Sequence, residues 1–489
     1  MIKKVKRFMA LFLLLALVAG LILTSCAGPD GDAKKDGGDR ETSQSQTGED
    51  EPGAQQLPPA FEMSDYKGQT FLIAWPELSL NDAYYFSEEL NGDQLNDAVY
   101  ARLKAVEEQL NLKITEECIG ICNDVLPLLK KTVAAGLKAH DLVLTHTAVD
   151  LGAIASQNLV HDWNKVQSID PSGIYWNRDI NQTMNIRGKQ PYISNAFNIA
   201  EFMAILFNKQ MIKDYSLEDP YELVKANKWT IDKMTEMARQ AVKDLDGDGK
   251  FDKSDQYGFA APLDWHMKSF NIGFNQPLVE KDENGIMQYV FMTERMGVIV
   301  EKMHRLLYEG NTSFTWPYAT YQGGIVVPMF DEGRVLFMLQ WMAFAEHYRE
   351  ANVEYGILPH PKLDEAQQNY RAFNSAGYSA IPLIVEDTEL VGKVVELLGY
   401  WGYYSVIPAY KNVLLTQKVS RDYESADMLD IIFSNLQIDL ANSYGYMEQI
   451  CDLMQAKSTD LASYYEKNIK KWQTALDKNN AAFADFGQH

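Results

Sequence analysis

The sequence predicts an α/β protein of two lobes, each a mixed sheet flanked by helices, behind an export leader and a polar tether. Three observations carry this. Strand-like and helix-like stretches alternate from Lys67 onward, the pattern of a largely parallel sheet covered by helices. The chain after the tether runs to more than about four hundred residues, too many for one ordinary core. The first sixty or so residues (about 1–60) contain an apolar run and then almost nothing to bury.

The N-terminus opens with Lys3, Lys4, Lys6 and Arg7, followed by an uncharged apolar run from Phe8 to Leu23. A basic start and a short apolar core are the marks of a secretory signal. The ending Leu23-Thr24-Ser25-Cys26 resembles a bacterial lipobox, in which Cys26 becomes the lipidated first residue. This makes 1–25 a lipoprotein signal peptide and implies a membrane attachment through a lipid. The rival reading is an uncleaved membrane anchor; both export the rest of the chain. Residues 26–62 are rich in Gly, Asp, Glu, Lys, Ser, Gln and Pro and read as a solvated tether.

The formal net charge is −22, and no basic patch interleaves with aromatics, so nucleic acid is excluded as a partner. Of the four cysteines, Cys26 is taken by the lipobox-like ending. Cys118 and Cys122 stand at i,i+4, where a bridge is often strained; with Cys451 they read as mostly buried thiols.

Thr70–Trp75 reads as a strand, Gln94–Leu110 as a helix with Leu95, Val99, Leu103, Val106 and Leu110 on one face. Leu112–Ile119, Val125–Ala135, His140–Thr145 and Asp150–Gln157 continue as strand, helix, strand and helix. In such sheets ligands sit at the carboxyl ends of the strands. Trp75 and Glu77 lie at the first of these ends and His146 at the third. Core packing is the competing reading for Trp75, and a satisfied loop histidine for His146.

Thr230 is a helix N-cap, and Ile231, Met234, Met237, Ala238 and Ala241 form the apolar face behind it. That helix runs into Asp244-Leu-Asp-Gly-Asp-Gly-Lys-Phe-Asp-Lys-Ser-Asp255. Asp244, Asp246, Asp248, Asp252 and Asp255, with the Lys250 carbonyl, fall at the oxygen-ligand places of an EF-hand-type loop, and Gly249 takes the sharp turn. One structural Ca²⁺ is therefore expected here. The last place holds Asp255 where the longer Glu is usual, which points to modest affinity; a surface turn without metal is the alternative. Further on, Val279–Ile286 reads as a hairpin with Asn284-Gly285 as its turn, and Thr293–Glu309 as a helix.

A KWT-opened helix (Lys228-Trp229-Thr230), a single DGDG loop and a Gln256-Tyr-Gly-Phe259 exit resemble the second lobe of carbohydrate-type extracellular solute-binding proteins of bacterial ABC importers, the maltodextrin-binding-protein-like family. The order of further short motifs extends the resemblance over nearly all of the chain after the tether. These are Gln190–Lys209, Phe330–Phe344, Val353–Gln367, Val406–Tyr410 and Lys418–Asp422. The resemblance implies a two-lobed periplasmic-binding-protein-like fold of type II. Lobe 1 would comprise 63–190 plus 374–418, and lobe 2 191–373 plus 419–489 with the loop 244–255. It places Asn195, Asn198 and Glu201 on the first crossing between lobes and Tyr378 on the return crossing. Trp341 falls where sugar-binding relatives stack a Trp on the ligand. Trp265, just past a strand and beside Asp264, also suits a sugar face. For the asparagines the competing reading is turn formation, and for Trp341 core packing.

The implied activity is binding without chemistry: a monomer that captures a carbohydrate and delivers it to an ABC permease, closing by a hinge near Glu201 and Ser375. No G-x-S-x-G, H-E-x-x-H, P-loop or G-x-G-x-x-G occurs. The alternatives are a secreted, calcium-stabilised polysaccharide hydrolase and a binding protein of the same fold for a peptide or another polar solute.

Overall fold

The computed structural model describes residues 59, 65–77, 85–147, 149–316, 326–342, 352–375, 377–415 and 423–487, without the side chains of 265, 326 and 327. The leader, Cys26, nearly all of the tether, and 418–422 lie outside the described residues. The strands in order are β1 (Gln69–Glu77), β2 (Leu112–Ile121), β3 (Leu142–His146), β4 (Met203–Asn208), β5 (Tyr257–Pro262), β6 (Val279–Lys281) and β7 (Met287–Tyr289). Then come β8 (Ser313–Trp316), β9 (Val335–Trp341), β10 (Tyr355–Leu358), β11 (Ala372–Phe373), β12 (Gly377–Ala380) and β13 (Leu436–Gln437).

Two main sheets result. The first has the order β12-β3-β1-β2, with β1 parallel to β2 and β3, and β12 antiparallel to β3. The second has the order β10-β4-β9-β5-β8, with β9, β5 and β8 parallel and β4 antiparallel to both its neighbours. All residues of β3, β4, β5, β9 and β10 are buried. Strands covered on both faces read as continuous apolar runs rather than alternating ones.

The helices follow their local signals. Gln94–Leu110 is capped by Asp93, buries the five expected apolar residues and adds the buried Arg102. Thr230 caps Ile231–Gln240 through the Lys233 N–H, and Thr293 caps Glu294–Tyr308 through Met296. The hairpin forms as β6 and β7, with Gly285 at φ +73. Cys118, Cys122 and Cys451 are all free thiols. Burial holds for Cys451 alone: Cys118 lies exposed on β2, because the outer end of that edge strand has little packed on it.

Two of the sequence motifs turn out to be halves of one joint. The Trp229 indole N–H donates to the Pro359 carbonyl at 3.0 Å, the Ile231 N–H to the Lys362 carbonyl at 2.8 Å, and Lys362 Nζ to the Gln367 carbonyl at 2.8 Å. The KWT and LPHPK stretches are therefore coupled by packing in this chain.

The helix Ile231–Gln240 lies so close on β5 that a Cβ at Gly258 would stand 2.0 Å from the Ala238 carbonyl oxygen. Backbone cannot step aside as a side chain can. Gly258→Ala is expected to lower stability by about 1–3 kcal/mol or more, as overpacked cores do. Gly297→Ala, in a helix where nothing lies within 4 Å, should leave stability unchanged or raise it by up to about 1 kcal/mol. Denaturant unfolding of the two variants checks the pair.

Candidate functional site

Two passages of the backbone between the two sheets each enter a strand at the carboxyl edge of its sheet. The first leads into β4 at Met203, which pairs with Trp341, the last residue of β9. The second leads into β12 at Gly377, which pairs with His146, the last residue of β3. The passages are tied to each other by an antiparallel bridge between Phe202 and Asn374 and by the Ser375 N–H, which donates to the Glu201 carbonyl at 2.7 Å. The carboxyl ends of both sheets thus lie beside the crossings, which is where α/β folds place ligands.

At this junction the structure brings together His146 and Glu201. His146 Nε2 lies 3.5 Å from Glu201 Oε2 and 3.1 Å from both the carbonyl and the hydroxyl of Ser375. Thr147 Oγ1 is 3.1 Å from the same hydroxyl. All four residues are buried. Burial works against the imidazolium, but hydrogen bonding to the Cys122 and Glu201 side chains outweighs it and lifts the His146 pKa to about 10. A serine, a histidine and a carboxylate meet here, yet not as a catalytic triad. A triad needs the serine on one ring nitrogen and the acid on the other, with a neutral imidazole as base. Here both partners share Nε2 and the ring holds its proton.

The other expected residues divide. Trp75 is half-buried at the end of β1, its indole N–H held by Glu116 and its ring 6.1 Å from Phe86. Glu77 is exposed one step beyond Pro76. Asn195 is spent inside the protein: Nδ2 donates to the Val395 carbonyl at 2.9 Å and Oδ1 accepts the Phe197 N–H at 2.9 Å. Asn198 keeps an Nδ2 without a protein partner and lines a cavity of about 410 Å³ with Tyr175, Trp176, Tyr403, Lys411 and Phe433. Trp341 is 8% exposed and packs on Phe373 and His266 at 5.9 and 6.4 Å. Tyr378 is fully buried against Tyr192. Both have the surroundings of core residues, because each sits within a strand covered on both faces. Trp265 begins the helix Trp265–Gly273; its side chain lies outside the described residues. Sequence reasoning missed Asn374, a fully buried residue on the return crossing whose two amide atoms have no protein partner. No local signal marks it; only the bridge to Phe202 puts it here.

The acidic loop closes through paired backbone hydrogen bonds between Lys243 and Gln256, and Gly247 and Gly249 take positive φ. Asp244, Asp246 and Asp255 each bring one oxygen within 4.8 Å of the others. Asp248 and Asp252 stand outside this group. Asp248 accepts the Lys250 N–H, and Asp252 accepts that of Ser254. The Asp248 N–H lowers the Asp246 pKa, but desolvation and the charges of Asp248, Asp255 and Asp244 raise it overall. Three clustered hard oxygens fit a divalent cation of the calcium type.

No family model matches the sequence, and no curated protein matches it. Solved structures match the fold. The galacto-N-biose/lacto-N-biose I-binding protein of the ABC transporter from Bifidobacterium longum, in complex with lacto-N-biose, aligns at TM-score 0.57 and 10% identity over 87% of this chain and 99% of that one. A sugar transporter protein from Rhizobium etli in an open conformation aligns at 0.56 and 13%, over 84% and 98%. An ABC substrate-binding protein from Listeria monocytogenes, in complex with cycloalternan, aligns at 0.54 and 12%, over 85% and 99%. The chain has the α/β two-lobed fold of these solute-binding proteins. No helix among the described residues is long and apolar enough to cross a membrane.

The His146 pKa sets a pH dependence. Its folded value lies above the ordinary 6.5, so the folded state holds the proton more tightly than the unfolded one. The contribution is complete below about pH 6.5 and is lost as pH rises through about 10. Wild-type stability should fall across that window, and His146→Gln should flatten the fall. Denaturant melts at about pH 6, 8 and 10 measure it.

Proposed function

We propose that this chain is a lipid-anchored, extracellular solute-binding protein that captures a carbohydrate and hands it to the permease of an ABC importer, without performing chemistry. The observation that carries this reading is the double crossing at the joined carboxyl edges of two sheets, in a fold shared with proteins whose structures hold oligosaccharides. Lobes linked by short extended passages close on a ligand by hinge motion. The passages meet at Glu201 and Ser375, and the His146 cluster braces them from the first sheet. The proton held on His146, with Ser375 and Glu201 on the same ring nitrogen, supports binding rather than hydrolysis at this junction. Cys26 would carry the lipid and residues 26–62 would tether the body to the membrane face.

Sugar rings bind through an apolar C–H face and a rim of hydroxyls, so a site needs an aromatic with free surface beside polar groups. Trp75 retains such surface and has Glu77 two residues on; Trp341 does not. Calorimetric titration with a panel of neutral oligosaccharides tests the function, with product analysis of the same mixtures. Saturable binding without product is expected; turnover, or no binding by any member, overturns it. Trp75→Ala should weaken binding more than tenfold, a hot-spot effect of about 2 kcal/mol. Trp341→Ala should instead cost about 3–5 kcal/mol of stability in the ligand-free protein.

We also propose that the loop Asp244–Asp255 holds one structural Ca²⁺, supported by the three clustered carboxylates and the two glycine turns. Such a cation binds the native state and stabilises it by mass action. Chelation should lower the melting temperature of the wild type, and Asp244→Ala with Asp246→Ala should abolish that sensitivity. Melting curves that coincide with and without chelator would leave the loop an empty turn.

A further inference from the structure

In a chain of net charge −22, a cation without a carboxylate beside it stands out. Arg371 is one. It is half-buried and makes no ion pair, side-chain hydrogen bond or ring contact among the described residues. It lines a cavity of about 390 Å³ together with Lys281, Gln182, Gln276, Gln437 and Asp439. That volume lies in the range of small-molecule sites.

Lys281 is a second cation without a carboxylate. Its Nζ donates to the carbonyls of Gln182 and Asn185 at 2.6 and 2.8 Å, which leaves one N–H. Burial depresses its pKa and no neighbouring negative charge offsets that. The acidic groups of the wall do not serve these cations. Asp439 is turned to the backbone, accepting the N–H groups of Leu278, Val279 and Ala441 at 2.6, 3.3 and 2.8 Å. Glu280 is exposed at the rim.

We propose that this cavity binds a small oxyanion, the carboxylate, sulfate or phosphate group of a small solute, with the Arg371 guanidinium as the principal donor and Lys281 as the second. A guanidinium presents a planar fork that matches two oxygens of such a group, and an ammonium adds a point charge. The place in the fold gives the site a consequence. Arg371 immediately precedes β11 and the return crossing at Asn374, while Gln182 and Lys281 join the helix Arg178–Met184 to the hairpin. An anion bridging these walls favours whichever arrangement of the crossing it contacts. The site is separate from the carbohydrate reading and stands whether or not a sugar binds.

Calorimetric titration of the purified protein with sodium sulfate, sodium phosphate and sodium glucuronate, at ionic strength matched with sodium chloride, tests it. At least one of the three should bind saturably. Arg371→Gln should weaken that binding at least tenfold while its melting temperature in chloride stays that of the wild type, since Arg371 has no partner to lose. Arg371→Lys, which keeps the charge and loses the fork, should fall between them. A glucuronate preference assigns an acidic sugar or other carboxylate, and a sulfate or phosphate preference an inorganic or esterified oxyanion. Either supports the site. Sulfate and phosphate also stabilise proteins by exclusion from the surface, an effect that Arg371→Gln leaves untouched. If no anion saturates, or if wild type and Arg371→Gln respond alike, the assignment is overturned.

Discussion

The structure depends on the tie between its two backbone crossings. Phe202 bridges Asn374, and the Ser375 N–H reaches the Glu201 carbonyl. One step further, Met203 and Gly377 enter their strands opposite Trp341 and His146. Four points of the chain, far apart in sequence, are thereby held within one short stretch of hydrogen-bonded backbone. A hinge of this kind is stiff along its strands and soft about them, because the bonds between the strands survive a rotation that changes the angle between the sheets.

The chemistry at the tie suits a joint better than a reaction. The His146 proton is retained by its neighbours, and the serine and the carboxylate compete for one nitrogen. Polar groups that lack a partner occur at the same place, on Asn198 and Asn374. Buried donors and acceptors left open are costly unless water or a ligand satisfies them. The first and second crossings each carry one such residue.

Two further charged features lie away from the joint and differ in kind. The loop after the helix Ile231–Gln240 crowds carboxylates that are supported by backbone N–H groups, with Asp244 accepting from Gly247 and Gly249. The cavity at Arg371 does the reverse, setting two cations whose charged ends meet no carboxylate among the described residues in an acidic protein. In the loop the charges lie side by side, whereas in the cavity Asp439 is turned to the backbone and Glu280 to the rim, away from Arg371 and Lys281.

The sequence by itself determined the element order, because strands, helices and caps are set by neighbours along the chain. Thr230 caps the helix expected of it, Asp93 and Thr293 cap two more at starts that the apolar pattern marked, and the hairpin forms around Gly285, with Asp282 rather than Asn284 anchoring its turn. It also pointed to the fold through ordered motifs, two of which meet at Trp229 and Pro359. The pairing of His146 with Glu201 was half legible: each residue was marked, at a strand end and on a crossing, but not their contact. What only the tertiary structure decided was which faces are covered. Trp341 and Tyr378 look like ligand contacts along the chain and are core in space, since both faces of their strands are buried. Asn195 looks available and is consumed by Val395, two hundred residues away. Arg371 carries no local mark at all; its isolation exists only because Lys281, Gln437 and Asp439 are folded around the same space. Exposure and partnership are properties of long-range packing, and one-dimensional pattern is blind to both.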